Sequence, residues 1–190
     1  LQHVRGSVAP LDARRIVVVT GNGAEQVEAA VALWRGSSTA APVFVRQEPQ
    51  LGTGHAVQQA LPLLPDDGTA LVLNGDVPLI EAATLQRLVD ASGGARLALL
   101  SVEMPDPAGY GRIVRHGDAV RAIVEHKDAS ADELAIREVY TGFMAVPSAQ
   151  LKKWLARLTN DNAQGEYYLT DIVKLAAADG VEVVASAATE

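Results

Sequence analysis

Cysteine is absent from this chain of 190 residues. Its absence excludes disulfides, thiolate zinc sites and a cysteine nucleophile, and it suits the reducing cytoplasm, where we expect the protein to reside. No apolar run approaches the roughly 18 residues of a membrane-spanning helix, and residues 1–10 have neither the charge nor the apolar core of a signal peptide. Neither membrane insertion nor export is therefore expected.

Positive charge is also scarce, since 16 Lys and Arg residues face 23 Asp and Glu residues and the net charge is −7. Nucleic acids and anionic membranes select basic surfaces, so neither is expected as the main partner. The chain lacks the Gly-x-Ser-x-Gly elbow of serine hydrolases, and its four histidines show no metal-ligand spacing. These absences disfavour nucleophilic catalysis and a histidine metal site.

Short apolar runs that alternate with segments of helical period are what the chain does have. The first half predicts strands over 14–21, 42–47 and 69–76, and helices over 24–34, 55–64 and 82–91. The second half predicts strands over 96–104, 138–146 and 181–186, a hairpin over 111–126, and helices over 148–158 and 170–178. We therefore predict an α/β fold with a mixed, mostly parallel sheet, helices on both faces, and ligands at the carboxyl ends of the strands.

Residues 51–64, "LGTGHAVQQALPLL", place two glycines around Thr53 just before a helix. Glycine is used where a chain turns sharply or where another group approaches the backbone closely. Thr53 is placed to cap the helix, whose positive end suits an anion or a carbonyl oxygen. A plain strand-to-helix turn is the alternative. His55 lies in the first turn, where protonation is unfavourable, so we do not predict it as a general base.

Two polar residues after predicted strands carry candidate chemistry. Asp76 follows an apolar run at the sheet edge where ligands bind, and one aspartate suffices for a Mg²⁺ ion shared with substrate phosphates. A loop-capping aspartate is the alternative. The amide of Gln47 has a donor and an acceptor, which match the N3–H and O4 edge of uracil and oppose cytosine. A solvated strand end is the alternative there.

Six motifs then occur in one order along the chain: "QLGTGHAVQQA", "NGDVPLI", "DPAGYGRIV", "IVEHKDA", "YTGFMAV" and "LTNDNAQGEYYLTDIV". Over nearly its whole length the chain resembles the uridyltransferase domain of bacterial bifunctional N-acetylglucosamine-1-phosphate uridyltransferase/glucosamine-1-phosphate acetyltransferases. The resemblance implies a Rossmann-like nucleotide-diphospho-sugar transferase fold with a small antiparallel sugar-binding part. It also implies that UTP and N-acetylglucosamine 1-phosphate become UDP-N-acetylglucosamine, with Mg²⁺, for peptidoglycan and lipopolysaccharide, in a full-length parent that is a homotrimer.

The resemblance also assigns roles to individual residues. Gln47, Gly52 and Thr53 are implied to hold the uracil, with the bare backbone of Gly52 letting the flat base lie against it. Asn74 and Gly75 are implied to lie near the ribose and phosphates, beside Asp76 as the Mg²⁺ ligand and catalytic residue. The implied sugar-binding residues are Gly111, which leaves room for the acetamido group, Glu125, which accepts from sugar hydroxyls, Tyr140, Tyr168 and Thr170.

Some family features are missing from these 190 residues. The family begins with a glycine-rich strand-loop whose Arg and Lys grip the triphosphate, and it has a later Asn that completes the Mg²⁺ site. We therefore expect residues 1–190 to be one incomplete nucleotidyltransferase domain that is inactive alone. Asn74 stands where a Tyr is usual, and Tyr140 where an Asn contacts the ligand. The alternatives are a related sugar-1-phosphate nucleotidyltransferase of other specificity and a non-catalytic nucleotide-sugar-binding remnant.

Overall fold

The computed structural model describes residues 2–32, 41–77 and 80–188, and the last two positions of the predicted helix 24–34 lie outside them. The elements of the first half are α1 (Gln2–Val8), a 3-10 helix (Ala9–Leu11), β1 (Ile16–Thr20), α2 (Ala24–Ala32), β2 (Pro42–Arg46), α3 (Thr53–Ala60), a 3-10 helix (Leu61–Leu63), β3 (Thr69–Val72) and α4 (Ala82–Ser92). The second half contains β4 (Leu97–Glu103), β5 (Arg112–His116), β6 (Ala119–Val124), α5 (Ala131–Leu134), β7 (Glu138–Pro147), α6 (Ser148–Leu155), α7 (Asp171–Ala178) and β8 (Val183–Ala187). Among these helices, none combines the length and apolarity needed to cross a bilayer.

The strands form two sheets. β1 and β2 pair in parallel, with Ile16 opposite Pro42. The other six strands form a sheet in the order β6-β5-β7-β4-β8, with β3 also paired to β7. β7 is therefore the strand on which the larger sheet is built.

The two edges of β7 are used differently. One edge pairs with β4 along most of its length. The other edge pairs with β3 from Met144 to Pro147 and with β5 at Val139. β3 and β5 thus leave residues 140–143 between them on the same edge of β7. A crevice where neighbouring strands diverge is where open α/β sheets bind ligands.

The α/β fold class, the mixed sheet and the antiparallel hairpin of β5 and β6 are confirmed, but the mostly parallel sheet is not. Among the described strand pairs, only β1–β2 and β4–β8 are parallel. β7 runs antiparallel to β3, β4 and β5, and β5 runs antiparallel to β6. A strand buried on both faces is an apolar run whichever way it points, so the sequence pattern does not contain its direction.

Alternate residues of β4 and β7 point into two apolar layers, one on each face of the sheet. Leu99 and Met144 belong to the layer that contains Trp154 of α6, while Leu100 and Phe143 belong to the layer that contains Leu88 of α4. All six are at most 3% exposed, and burial of side chains of this size stabilises the fold by about 1.5–3 kcal/mol each. Helices therefore cover both faces of the sheet, as predicted. Polar groups of the candidate site lie instead along the edge of β7 between β3 and β5.

Candidate active site

Three hydrogen bonds join the 51–54 loop to residues 167–169, more than a hundred positions later. The Tyr167 N–H donates to the carbonyl oxygen of Leu51 at 2.8 Å, and the Gly54 N–H donates to that of Tyr167 at 2.7 Å. The Leu169 N–H donates to the Thr53 hydroxyl at 3.0 Å. Two motifs that looked separate in the sequence are therefore parts of one site.

The predicted helix cap at Thr53 is wrong. α3 begins at Thr53 itself, Gly52 occupies the N-cap position, and no side chain caps the helix. The Thr53 hydroxyl accepts its hydrogen bond from Leu169 instead. The Thr53 hydroxyl thus bonds to a residue far along the chain and not, as the local sequence pattern predicts, to the end of the helix.

The structure also supplies its own reason for Gly52. This residue has φ 107° and ψ 175°, a conformation essentially restricted to glycine. A Cβ atom there would lie 2.7 Å from the Tyr167 oxygen and 2.9 Å from both the Tyr167 nitrogen and the Glu166 Cβ atom. The bare backbone is thus required by the chain's own 166–167 segment, so the glycine by itself is no sign of a bound base. Its contact with the nucleotide stays a prediction.

The side chain of Gln47 reaches from the end of β2 to the start of α3. Its amide nitrogen lies 2.9 Å from the carbonyl oxygen of Gly52 and 3.1 Å from Nδ1 of His55. Nε2 of His55 lies in turn 3.1 Å from the amide nitrogen of Gln59. Gln47 is therefore not a solvated strand end, because a polar network within the protein holds it.

The residues predicted to bind the sugar lie together at the start of β5, the end of β6 and the start of α7. A Cβ atom on Gly111 would lie 3.6 Å from both carboxylate oxygens of Glu125 and 2.8 Å from Cγ2 of Ile123. The Thr170 hydroxyl donates to Glu125 at 2.8 Å, and the Tyr140 N–H donates to the Gly111 carbonyl oxygen at 2.9 Å. Any side chain at position 111 would therefore crowd the space in front of the Glu125 carboxylate.

Two tyrosine hydroxyls complete this cluster. The hydroxyls of Tyr140 and Tyr168 are buried, and neither has a hydrogen-bond partner among the described residues. Burial raises the pKa of both phenols, and the negative charge of Glu125 raises each further, with Asp128 adding to the effect on Tyr168. Buried polar atoms in folded proteins almost always have partners, so the Tyr140 hydroxyl is available to a ligand, whereas the Tyr168 hydroxyl also interacts with the side chains of Gln164 and Asp128.

Asn74 sits against β7 inside the crevice. The register of β4 on β7 shifts between Leu99 and Ser101, and at this irregularity Gly142 has φ 92°. A Cβ atom on Gly142 would collide with the amide of Asn74, whose Cγ would be 2.9 Å away. Gly142, which sequence reasoning missed, therefore makes room for Asn74.

Asp76 follows Asn74 and Gly75 beyond the carboxyl end of β3 and is exposed. Its carboxylate has no hydrogen bond or ion pair with another described residue. No group of three or more acidic, histidine or cysteine side chains suited to a metal occurs in the described part of the chain. The structure thus leaves Asp76 as an unengaged carboxylate on the side of the sheet where the crevice opens.

Arg112 is a second residue that the sequence reasoning missed. It is 1% exposed, and its Nε atom has no partner among the described residues. One terminal nitrogen donates to the carbonyl oxygen of Tyr110, and the other lies 3.3 Å from Nδ1 of His126. Because Tyr110 precedes Gly111 and His126 follows Glu125, the guanidinium joins the ends of β5 and β6 beside the sugar-binding candidates.

Comparison with known proteins identifies the family to which the chain belongs. The model of the MobA-like NTP transferase domain matches residues 1–140. The chain belongs to the MobA-like NTP transferase domain family. This membership agrees with the crevice geometry, in which polar groups from several loops surround a sheet edge.

Individual relatives in this family are close in sequence. The chain is 64% identical over 191 residues to the bifunctional protein GlmU of Methylibium petroleiphilum, covering 98% of this chain and 41% of that protein. It is 66% identical over 187 residues to the bifunctional protein GlmU of Acidovorax sp. strain JS42, covering 97% and 39%. The resemblance inferred from the motifs is confirmed, and the chain spans well under half the length of these relatives.

A solved structure of UDP-glucose pyrophosphorylase complexed with UDP-glucose is also similar to this chain. The match has a TM-score of 0.70 at 15% identity and covers 98% of this chain and 77% of that one. At this identity the likeness concerns the fold alone, and it confirms the Rossmann-like nucleotide-sugar transferase architecture.

Proposed function

We propose that this chain carries the nucleotide-binding and sugar-binding parts of an N-acetylglucosamine-1-phosphate uridyltransferase, which makes UDP-N-acetylglucosamine and pyrophosphate from UTP and N-acetylglucosamine 1-phosphate. The observation that carries the proposal is the hydrogen-bonded junction of the 51–54 loop with residues 167–169. This junction puts Gln47, the candidate base reader, on one side and the Glu125–Thr170 pair on the other. The identity of 64% to 66% with bifunctional proteins GlmU supports it further.

In this proposal a phosphate oxygen of the sugar phosphate attacks the α-phosphorus of UTP. A new P–O bond forms, the bond to the β-phosphate bridging oxygen breaks, and pyrophosphate leaves with that electron pair. No protein nucleophile is needed, so the contribution of the chain is to hold the two substrates in line. Gln47 orients the base, Glu125 accepts from sugar hydroxyls, and Gly111 leaves space for the acetamido group.

A magnesium ion fits the donor set at the end of β3. Asp76 is exposed and makes no hydrogen bond or ion pair with another described residue, and Mg²⁺ is commonly held by one or two carboxylates together with substrate phosphates and water. When bound, the ion would neutralise charge on the phosphates. Asn74 and Gly75 are proposed to lie beside the ribose and phosphates. The amide of Asn74 lies over Gly142, where a Cβ atom would collide with it.

The wider setting is part of the same proposal. Nucleoside triphosphates and sugar phosphates are cytoplasmic metabolites, so we place the reaction in the cytoplasm. The product would supply cell-wall and lipopolysaccharide precursors, and a homotrimer of the full-length parent stays a prediction. Tyr140 is proposed to donate its unpaired hydroxyl to the sugar nucleotide, and Tyr168 is proposed to contact the same ligand.

The test is binding of UDP-N-acetylglucosamine to the purified chain by isothermal titration calorimetry, with and without Mg²⁺ and with UDP-glucose as competitor. Binding is the readout because the chain covers only 41% of a relative such as that of Methylibium petroleiphilum. We expect Glu125→Gln to weaken binding about tenfold or more, since a hydrogen bond to a charged group is lost. Asp76→Asn should abolish the strengthening by Mg²⁺.

The matched control is Glu182→Gln, which changes an exposed carboxylate just before β8. β8 runs parallel to β4, so Glu182 lies at the opposite end of the sheet from the crevice. This variant should bind like the parent chain. Equal affinity for UDP-glucose and UDP-N-acetylglucosamine would make the sugar assignment wrong, and no affinity for either would overturn the proposed function.

A further inference from the structure

Both hydrogens of the Gln47 amide are directed at acceptors inside the protein. A primary amide nitrogen has two hydrogens, and here it lies 2.9 Å from the Gly52 carbonyl oxygen and 3.1 Å from Nδ1 of His55. No described residue donates to its Oε1 atom. Of the two amide ends, only the oxygen is therefore left for a ligand. This differs from the sequence-based expectation, in which both ends of the amide face the base.

The imidazole of His55 is the second of the two groups that hold the amide nitrogen of Gln47. A neutral imidazole has one nitrogen that accepts and one that donates, yet both ring nitrogens lie 3.1 Å from a glutamine amide nitrogen, Nδ1 from Gln47 and Nε2 from Gln59. Only one amide can donate to the ring. The amide nitrogen of each glutamine also donates to a carbonyl oxygen, that of Gly52 for Gln47 and that of His55 for Gln59, so neither can turn its oxygen to the ring without meeting a carbonyl oxygen. Gln59 is bonded only within its own helical turn and can swing its side chain away from the ring, whereas Gln47 links the end of β2 to the start of α3. We therefore assign the hydrogen bond to Nδ1 and Gln47.

We propose that His55 is a positioning residue that selects the base by fixing the amide of Gln47. With Nδ1 of His55 and the Gly52 carbonyl oxygen both accepting from the amide nitrogen, the Gln47 oxygen faces the nucleotide. That oxygen pairs with an N3–H donor, which uracil has, and repels the N3 acceptor of cytosine. The inference rests on the proposed function, in which Gln47 reads the base.

Removing the imidazole acceptor would leave the amide held by the Gly52 carbonyl oxygen alone, so that a half-turn of the amide would break one hydrogen bond instead of two. After such a turn its nitrogen would face the N3 acceptor of cytosine, where its oxygen had faced N3–H of uracil. The chain would still bind nucleotides through its phosphate and sugar contacts. Selectivity between bases, rather than affinity as a whole, is therefore the property that His55 controls, and a general packing role would not change it.

The experiment measures the ratio of dissociation constants for CTP and UTP, each with Mg²⁺, by calorimetry on the purified chain and its variants. We expect the parent chain to prefer UTP and His55→Leu to lose about tenfold of that preference, the value of one hydrogen bond in discrimination. His55→Asn should keep it, because the asparagine oxygen takes the place of Nδ1. Gln59→Leu should also keep it. Circular dichroism and thermal unfolding confirm that each variant is folded.

Each outcome decides a different question. If the parent chain shows no preference for UTP, the proposed function is overturned and this inference with it. If the parent prefers UTP and His55→Leu retains the full ratio, this inference alone is overturned. The same holds if Gln59→Leu loses the ratio, since the ring would then accept from Gln59. If His55→Leu does not fold, His55→Gln is measured in its place. Loss of the CTP/UTP ratio in His55→Gln together with its retention in His55→Asn supports the inference. Equal ratios in these two variants overturn it.

Discussion

Replacing Gly52 with alanine tests why this position lacks a side chain. The backbone there has φ 107° and ψ 175°, and an alanine in this region costs about 1–3 kcal/mol. The added methyl group would lie 2.7 Å from the Tyr167 oxygen and 2.9 Å from its nitrogen, and overpacking of this kind costs about 1–3 kcal/mol more. We expect the free energy of unfolding to fall by about 2–6 kcal/mol, a large part of the roughly 5–15 kcal/mol that stabilises a typical domain.

The measurement is urea unfolding of the ligand-free chain, followed by circular dichroism, with Gly109→Ala as the matched control. Gly109 also has a positive φ, 83°, but a Cβ atom there would meet nothing within 4 Å. The control therefore carries a backbone cost of positive φ without the packing cost. Equal destabilisation by the two substitutions would refute the packing argument and return the bare backbone of Gly52 to a role in contact with the nucleotide.

Two further predictions concern individual contacts. The Glu138 carboxylate accepts two hydrogen bonds of 2.7 Å from Arg115, which lower its pKa; this stabilisation is present above the usual pKa and is lost as the pH falls through the lowered one. Glu138→Gln should therefore cost about 1 kcal/mol at pH 7 and nothing once the parent carboxyl is protonated, as measured by thermal unfolding across pH. Thr170→Val, which removes the hydroxyl donor to Glu125, should weaken binding of UDP-N-acetylglucosamine about threefold to tenfold in calorimetry.

Each of these predictions has a control within the chain. Asp67→Asn breaks the ion pair between Arg14 and Asp67, whose side chains are 64% and 76% exposed. The substitution should change stability little, because water screens the attraction between these two charges. A pH-independent loss in Glu138→Gln would mean that its charge is not what stabilises the fold. Thr170→Ser keeps the hydroxyl and should bind like the parent chain, and a loss as large as that in Thr170→Val would remove Glu125 from the explanation.

The local patterns predicted most of the helices and strands correctly, since apolar periodicity and turn residues act over a few positions. The β5–β6 hairpin around His116-Gly117-Asp118 is one example. The sugar-binding candidates, which came from the family resemblance, also lie together, since short distances or hydrogen bonds link Gly111, Glu125, Tyr140 and Thr170. The roles of these four residues, like those of Asp76 and Tyr168, remain predictions.

Local sequence patterns could not predict features that depend on contacts between residues far apart in the chain. Thr53 looked like a helix cap because the sequence does not reveal that Leu169 lies beside it. Nothing in the sequence pattern singled out Arg112, which is 1% exposed. His55 was set aside as a general base, and its contact with Gln47 emerged only when β2 and α3 were placed together.

By itself the sequence determined which segments become helices and strands, the shortage of positive charge, and the family, because each of these is written in the composition, spacing and order of residues. The tertiary structure alone decided the direction of β7, the crowding that requires glycine at position 52, and the groups that contact the amide nitrogen of Gln47. The physical reason is that strand direction, steric contact and hydrogen-bond saturation are properties of pairs of residues, and these pairs are formed only when distant parts of the chain pack against one another.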